Sequence, residues 1–175
     1  MIDIFNEYKY DSKSTKNSPV IITEKALQDY NCIVRKEGGK TTLNNIYIIN
    51  MDVVKDALKI TPTPSSMDII FVASKKECIS ERFIKKYIIA DFKFNITAVN
   101  KVDSNISNDS IRKKYKFTKE FISEKDSSIS CLESAYFIFK DKNFEQIKNA
   151  WNRRNLNFPK TYPIKQSDFE KIFQL

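Results

Sequence analysis

The stretch IIADFKF, residues 88–94, is an apolar run that holds one acid and one base two positions apart. Its aliphatic and aromatic residues predict a buried β-strand. Because side chains alternate between the two faces of a strand, Ile88 and the other even-numbered residues are expected to face a core. Asp91 and Lys93 are then expected together on the opposite face, one pleat apart.

A second acid stands in a similar context earlier in the chain. Asp68 lies at the start of MDIIFVA, residues 67–73, which is another strand candidate. If the two strands pair antiparallel as a hairpin, Asp68 and Asp91 converge at one strand end, close to Lys93. The sequence therefore predicts a cluster of two carboxylates and one ammonium group.

Such a cluster suits metal-assisted cleavage of a phosphodiester bond. Two convergent carboxylates bind a hard cation such as Mg²⁺ or Mn²⁺ through oxygen ligands. The metal polarises a scissile phosphate and lowers the pKa of its bound water, while a lysine orients that water or neutralises charge on the phosphate. The alternative explanation of the D-x-K pattern is a strand with one solvated face and a weak surface salt bridge.

Composition removes several competing chemistries. The 175 residues contain no histidine, which excludes Ser-His-Asp triads, Cys-His nucleophiles and histidine-metal nucleases. The three cysteines, Cys32, Cys78 and Cys131, are widely spaced and form no CxxC pair, so a zinc site is not expected and a cytoplasmic location is favoured. EGGKTT, residues 37–42, lacks the first glycine of a phosphate-binding loop, and a turn is the better interpretation.

The charge balance favours a polyanionic partner. Thirty Lys and Arg residues face 22 Asp and Glu residues, which gives a formal charge of +8. Nucleic acid is the partner that this surplus suits, although a lysine-rich composition is also typical of AT-rich coding sequence. No apolar run approaches the length of a membrane span and the start of the chain does not resemble a signal peptide, so no membrane association is expected.

The apolar patterns predict one α/β or α+β domain over residues 1–175, with a core at about 23–140 and a C-terminal helical extension at 141–175. Strands 67–73, 87–95 and 134–140 should share one mixed sheet. The remaining elements expected are a strand at 45–50, helices at 23–33, 51–60, 108–125, 143–155 and 167–175, and a polar loop at 11–18. Asn108 or Asp109 is expected to cap the helix at 108–125, and Ser167 with Glu170 fits a capping box at the last helix.

In the residues already quoted the sequence resembles the PD-(D/E)XK nuclease superfamily, the restriction-endonuclease-like class. That pattern places an acid near the start of one strand, D/E-x-K in the next, and then a helix. Asp68, Asp91 and Lys93 match it in order, with Met67 in place of the usual proline and a long stretch between the acids. The resemblance covers about residues 23–140. It implies an α-β-β-β-α-β core with a mixed sheet and Mg²⁺ or Mn²⁺ as cofactor.

Further candidate residues come from the resemblance and from the helix at 108–125. Family members often add a glutamate from the first helix to the metal site, which makes Glu24 the candidate here, with Glu7 behind it; a first-turn glutamate is also what the helix dipole favours. A basic stripe that could clamp a phosphate backbone, or simply be solvated, is formed by Arg112, Lys113, Lys116 and Lys119.

The function expected is therefore a metal-dependent nuclease, with DNA favoured over RNA as substrate. Two alternatives stay open. The chain also resembles, more loosely, RNA endonucleases of the viral cap-snatching type, which carry a lysine-rich helix after the same strand. It could instead be a non-catalytic protein on a degenerate nuclease fold, either a basic nucleic-acid-binding module or an inhibitor or immunity protein. The sequence leaves open whether the chain pairs as a homodimer or with a partner protein.

Overall fold

A seven-stranded mixed sheet forms the centre of the protein in the computed structural model, which describes residues 7–59, 64–77, 81–99, 102, 106–154 and 160–174. The strands are β1 (Lys9–Tyr10), β2 (Leu27–Asp29), β3 (Tyr47–Asn50), β4 (Ile69–Lys76), β5 (Phe83–Phe92), β6 (Cys131–Phe139) and β7 (Thr161–Lys165). The helices are α1 (Ser12–Lys16), α2 (Tyr30–Lys36), α3 (Met51–Leu58), α4 (Asn108–Lys125), α5 (Phe144–Arg153) and α6 (Gln166–Phe169). Short 3₁₀ turns cover Glu24–Ala26 and Glu170–Phe173.

The sheet runs in the order β2-β3-β4-β5-β6-β7, and β1 pairs with the C-terminal half of β4. Pairing is antiparallel as far as β5, whereas β5, β6 and β7 are parallel to one another. Helix α4 connects β5 to β6, as a parallel pair requires. The expected strands at 67–73, 87–95 and 134–140 are confirmed as neighbours in one mixed sheet flanked by helices.

Both faces of the sheet are buried. One face packs against α3, α4 and α5 through residues such as Ile89, Phe137 and the fully buried Trp151. The other face, which includes Ile88 and Phe92, packs against α2 and the C-terminal turns. The expected alternation along β5 is confirmed, but the face that carries Asp91 lies under a helix rather than in solvent, and Asp91 is 0% exposed.

The helix expected at 23–33 is wrong in its first half. Residues Leu27–Asp29 pair with β3 as a short strand, because main-chain hydrogen bonds to a neighbouring strand outweigh a weak helical preference. The Asp29 side chain then accepts a hydrogen bond from the backbone N of Asn31, which starts α2 at Tyr30. The polar loop expected at 11–18 is also wrong, since Asp11 caps the short helix α1 in the same way.

The C-terminal part of the chain is not purely helical. Residues Thr161–Lys165 add strand β7 to the sheet edge, the position where a strand can carry a proline such as Pro163. The capping box of Ser167 and Glu170 is wrong, because the Ser167 backbone N donates instead to Asp141. The helix expected at 108–125 has the predicted bounds, although its cap is Ser107 rather than Asn108 or Asp109.

The double glycine has a structural explanation. Gly38 has a positive φ of 83° just after α2, where a left-handed residue ends a helix. A Cβ on Gly39 would collide with the ring of Phe94, so glycine is required there for close packing. The turn interpretation of residues 37–42 is therefore confirmed. Among the described helices, none is both long and apolar enough to cross a membrane.

Candidate functional site

The antiparallel pairing of β4 and β5 brings the two aspartates together at one end of these two central strands. Ile69 pairs with Ala90, so the same register extended by one residue sets Asp68 opposite Asp91. There the Asp68 side chain, rather than a main-chain carbonyl, accepts the next hydrogen bond from β5: the Phe92 backbone N donates to Asp68 Oδ2 at 2.7 Å. The register that buries the strands thus also fixes the distance between the acids.

Lys93 joins the pair directly after β5 ends. Its backbone N donates to the carbonyl of Ile138 in β6, at 2.8 Å, which fixes the main chain at this residue. Its side chain turns back, and Nζ donates to Asp91 Oδ2 at 2.8 Å. The same Nζ lies 5.6 Å from the centre of the Phe137 ring. Asp68, Asp91 and Lys93 therefore lie in one cluster, as their spacing in the sequence suggested.

Sequence reasoning missed a second lysine, which reaches the cluster from helix α4. Lys114 Nζ lies 3.0 Å from Asp91 Oδ2 and 3.8 Å from Asp68 Oδ1. These two carboxylate oxygens are consequently less than 7 Å apart, since both contact one nitrogen. One turn further along the helix, Thr118 Oγ1 accepts a hydrogen bond from the Met67 backbone N, which holds α4 against the start of β4. Thr118 thereby positions Lys114 over the acids.

The cluster is buried on one side and open on the other. The Asp91 side chain is 1% exposed, whereas those of Asp68, Lys93 and Lys114 are 20%, 18% and 23% exposed. Both ammonium groups contact the same oxygen of Asp91, Oδ2. The other oxygen, Oδ1, is buried and accepts no hydrogen bond from a described N–H, hydroxyl or ammonium group. Because buried polar atoms are normally paired, this free oxygen is a position where a cation or a proton would be stabilised.

The charges of the two acids are coupled. Burial raises the pKa of Asp68 to about 9, and the neighbouring charge of Asp91 acts in the same direction. Burial also acts to raise the pKa of Asp91, but Lys93, the hydrogen bond with Asp68 and Lys114 outweigh it and bring that pKa down to about 2. Of the two carboxyls, Asp68 is the one whose protonated form is favoured, since like charges this close do not both ionise freely.

The residues present fit a hard divalent cation. Mg²⁺ and Mn²⁺ prefer carboxylate oxygens, and Mg²⁺ sites commonly use only one or two carboxylates together with water and substrate phosphate. Asp68 and Asp91 supply two such groups, and Asp91 Oδ1 is a free buried acceptor. Within the described residues no set of three or more His, Cys, Asp or Glu side chains is grouped as a metal site. Water and phosphate would therefore have to supply the other ligands.

The two glutamates named from the sequence lie elsewhere. Glu24 is an exposed residue of a 3₁₀ turn rather than of a helix. Among the described residues it forms no ion pair with the lysines of the cluster. Glu7 forms a salt bridge of 2.9 Å with Lys75, near the strand pairing of β1 and β4. Burial acts to lower the pKa of Lys114, but the charges of Asp91 and Asp68, with a smaller contribution from Asp52 at the start of α3, raise it above its usual value.

The basic stripe of α4 is separate from the lysine that reaches the acids. At 100° per residue, Lys116 and Lys119 project well away from the direction of Lys114. Lys116 is exposed and lies 3.8 Å from Glu120, while Lys119 lies 5.7 Å from the ring centre of Tyr115. Arg112 and Lys113 are exposed as well. The stripe therefore forms an outer surface of α4, whereas the face of this helix that contacts the acids carries Lys114.

A sequence signal for Lys114 did exist. Ile111, Tyr115, Thr118 and Ile122 form the buried stripe of α4 at helical spacing. Lys114 lies on the margin of that stripe, one turn before Thr118, and is therefore directed towards the sheet. Its contact with the two acids depends on the angle at which α4 crosses the ends of β4 and β5, which the sequence pattern does not give.

A pocket of about 380 Å³ lies at the same sheet edge, where β6 and β7 end. Lys40 and Lys140 line it together with Asp141 and Glu170, so its charges balance. It does not include the two aspartates, and the chemistry of the site lies at the ends of β4 and β5.

The chain has no match among the known proteins compared with it: no protein-family model, curated protein or solved structure matches.

Proposed function

We propose that this protein is a Mg²⁺- or Mn²⁺-dependent nuclease of the PD-(D/E)XK type, which hydrolyses phosphodiester bonds of nucleic acid and prefers DNA to RNA. The observation that carries the proposal is the cluster of Asp68, Asp91 and Lys93 at one sheet edge, with a buried Asp91 oxygen left unpaired. Both acids and the lysine come from positions that match the resemblance.

The order of elements around the cluster supports the same proposal. Helix α2, strands β3, β4 and β5, helix α4 and strand β6 follow one another in the α-β-β-β-α-β order that the resemblance implies, with α3 inserted after β3. The first acid precedes β4, the second acid lies in β5, and the lysine directly follows β5. Strand β6 returns parallel to β5.

Each residue of the cluster has a distinct task in this proposal. Asp68 and Asp91 would hold the metal, which when bound polarises the scissile phosphate and lowers the pKa of a bound water. Lys93 orients the attacking water or stabilises negative charge on the phosphate, from a position fixed by its contact with Asp91. The Phe92 N–H holds Asp68 in place.

The positive charge near the cluster suits a polyanionic substrate. When Asp68 is protonated, which burial beside Asp91 favours, one ionised carboxylate faces two ammonium groups and the cluster carries a surplus positive charge. RNA remains the alternative substrate, since the cap-snatching type also combines this strand with a lysine-rich helix, and Lys114 of that helix reaches Asp91.

A second candidate function also has a specific observation in its favour. Both lysines already contact Asp91, and no third acid joins the two aspartates among the described residues. A cluster of this kind stabilises itself without a metal ion. In that case the protein is a non-catalytic nucleic-acid-binding protein, or an inhibitor or immunity protein on the same fold.

Cleavage assays on the wild-type protein and two matched variants test the proposal. Plasmid DNA or single-stranded RNA is incubated with the wild-type protein in the presence of Mg²⁺, Mn²⁺ or EDTA. The same assays are run on Asp91→Asn and on the control Asp109→Asn, which changes an exposed acid of α4. The proposal requires metal-dependent cutting that Asp91→Asn abolishes and Asp109→Asn retains. Cutting of RNA alone would favour the cap-snatching type, and binding without cutting would favour the second candidate.

A further inference from the structure

The position of Lys114 differs from that of Lys93 in one respect. Of the two acids, Lys93 Nζ pairs only with Asp91, at 2.8 Å, whereas Lys114 Nζ lies within 4 Å of both, at 3.0 and 3.8 Å. A cation shared by two carboxylates occupies the space between their oxygens. In the free protein that space is therefore taken by the ammonium group of Lys114.

Resting on the proposed function, we propose that Lys114 is a built-in competitor of the metal. Its ammonium group occupies the cation position between Asp68 and Asp91 and has to leave before a divalent cation binds there. The two cations exclude each other, because both would occupy the space between the two carboxyls, where two neighbouring positive charges repel strongly in a partly buried site.

A purely stabilising role does not explain the arrangement. Asp91 already has one ammonium partner in Lys93, on Oδ2. A second lysine that served only to satisfy the buried carboxylate would pair with its free oxygen. Lys114 instead contacts Oδ2 again, on the side of Asp68, and no described lysine reaches Oδ1.

The structure allows Lys114 to move without the rest of the helix. Thr118 fixes α4 through the Met67 backbone, while the Lys114 side chain is 23% exposed and carries its charge on a flexible four-carbon stem. A phosphate group of the substrate, entering at the same edge, offers the departing ammonium group another partner. Metal and nucleic acid are then expected to favour each other's binding.

Mn²⁺ affinity, measured by electron paramagnetic resonance of the free ion without nucleic acid, tests the inference. Lys114→Met keeps the apolar stem and removes the ammonium group, and Lys113→Met makes the same change at the exposed neighbouring position. We expect Lys114→Met to bind Mn²⁺ at least about tenfold more tightly than wild type, as removal of one close like charge in a partly buried site implies. Lys113→Met should be unchanged, and Lys93→Met should gain less than Lys114→Met.

Three results would overturn the inference: no tighter binding in Lys114→Met than in Lys113→Met, an equal or larger gain in Lys93→Met, or no Mn²⁺ binding in any variant. Thermal unfolding checks that each variant is folded, and Lys114→Gln serves as a second variant that retains a polar end. Metal-dependent cutting without the affinity gain would leave the nuclease proposal standing alone. The affinity gain without any cutting would sustain the inference and remove the nuclease proposal.

Discussion

Strand β5 passes through two buried polar clusters, one around Tyr87 and one around Asp91, and they differ in how completely their hydrogen bonds are satisfied. Tyr87 Oη donates to Asp126 Oδ2 at 2.7 Å and lies 2.5 Å from Ser18 Oγ. The other oxygen of Asp126 accepts from both the backbone N and the hydroxyl of Ser128. Asp91, four residues after Tyr87, shares one oxygen between two lysines and leaves the other unpaired.

We expect such a difference between a cluster that only stabilises the fold and the cluster that the proposed function requires. A fully paired buried network stabilises a fold, because each donor and acceptor withdrawn from water finds a new partner. A buried carboxylate oxygen without a donor costs stability, and such costs persist where another requirement outweighs them. The Tyr87 cluster joins β5 to the residues that follow α1 and α4, whereas the Asp91 cluster lies at solvent-accessible strand ends.

The largest effect on function is expected when Lys93 is removed. Lys93→Ala should lower the cleavage rate by about 10²- to 10⁴-fold, because a positioned group that moves protons or charge contributes that much. Binding of Mn²⁺ should be largely retained, since both carboxylates remain. Asp91→Ala should abolish both cleavage and metal binding. Initial rates on plasmid DNA and Mn²⁺ titrations measure the two effects.

The control for these two variants is Lys36→Ala, which removes one exposed lysine at the end of α2. It should cut at close to the wild-type rate. Unchanged cutting by Asp91→Ala would show that the activity comes from another site or from a contaminant.

The Tyr87 cluster should respond in the opposite manner. Asp126→Asn should lower the free energy of unfolding by about 2 kcal/mol, because several hydrogen bonds to a charged acceptor are weakened together. Tyr87→Phe, which removes one hydroxyl, should cost about 1 kcal/mol. Urea unfolding measures both. The cleavage rate per folded molecule should stay at the wild-type value, and a loss of cutting in stable Asp126→Asn would make this cluster part of the active site.

Acid unfolding should sharpen the contrast further. Burial acts to raise the pKa of Asp126, but hydrogen bonds from Ser128 and Tyr87 outweigh it and hold the pKa below its usual range. Stability from such a group is present above the unfolded-state pKa of about 3.9 and is lost as the pH falls through the lower folded-state value. The stability difference between wild type and Asp126→Asn should therefore shrink below about pH 4. A constant difference from about pH 7 to about pH 3 would contradict the ionised state of Asp126.

The smallest expected effect concerns the outer stripe of α4. If Lys116 and Lys119 bind phosphates, the double change to alanine should lower the slope of log K against log salt by about 0.7 to 0.9 for each phosphate that is no longer neutralised. The loss of Lys116, which is exposed, should hardly change stability, and the loss of the half-buried Lys119 should cost only its contact with the Tyr115 ring, at 5.7 Å. Fluorescence anisotropy with labelled DNA at several salt concentrations measures the slope. An unchanged slope would make the stripe a solvated surface.

The sheet and part of the cluster followed from sequence because they depend on local patterns. The alternation of β5 and the antiparallel partner that begins at Asp68 were enough to predict that the two aspartates converge. Lys114 could not be assigned to the cluster, because its reach depends on how α4 crosses the strand ends and on the Thr118 anchor.

The missed strands fail for a related reason. Residues 27–29 and 161–165 are short edge strands whose main-chain pairing stabilises them, and their side chains carry no clear period of two. The burial of Asp91 was missed because the pattern of β5 shows which residues share a face but not whether a helix covers that face.

The proposed function requires Asp68 and Asp91 to bind one catalytic divalent cation. Diffraction from crystals soaked in Mn²⁺, recorded for anomalous scattering, tests it most directly. The claim predicts one strong peak between the two carboxylates, with one oxygen of each acid at about 2.0 to 2.6 Å and Lys114 turned away from Asp68. A protein that cuts nucleic acid in Mn²⁺ while its crystals show the ion elsewhere, or no ion between these acids, would contradict it.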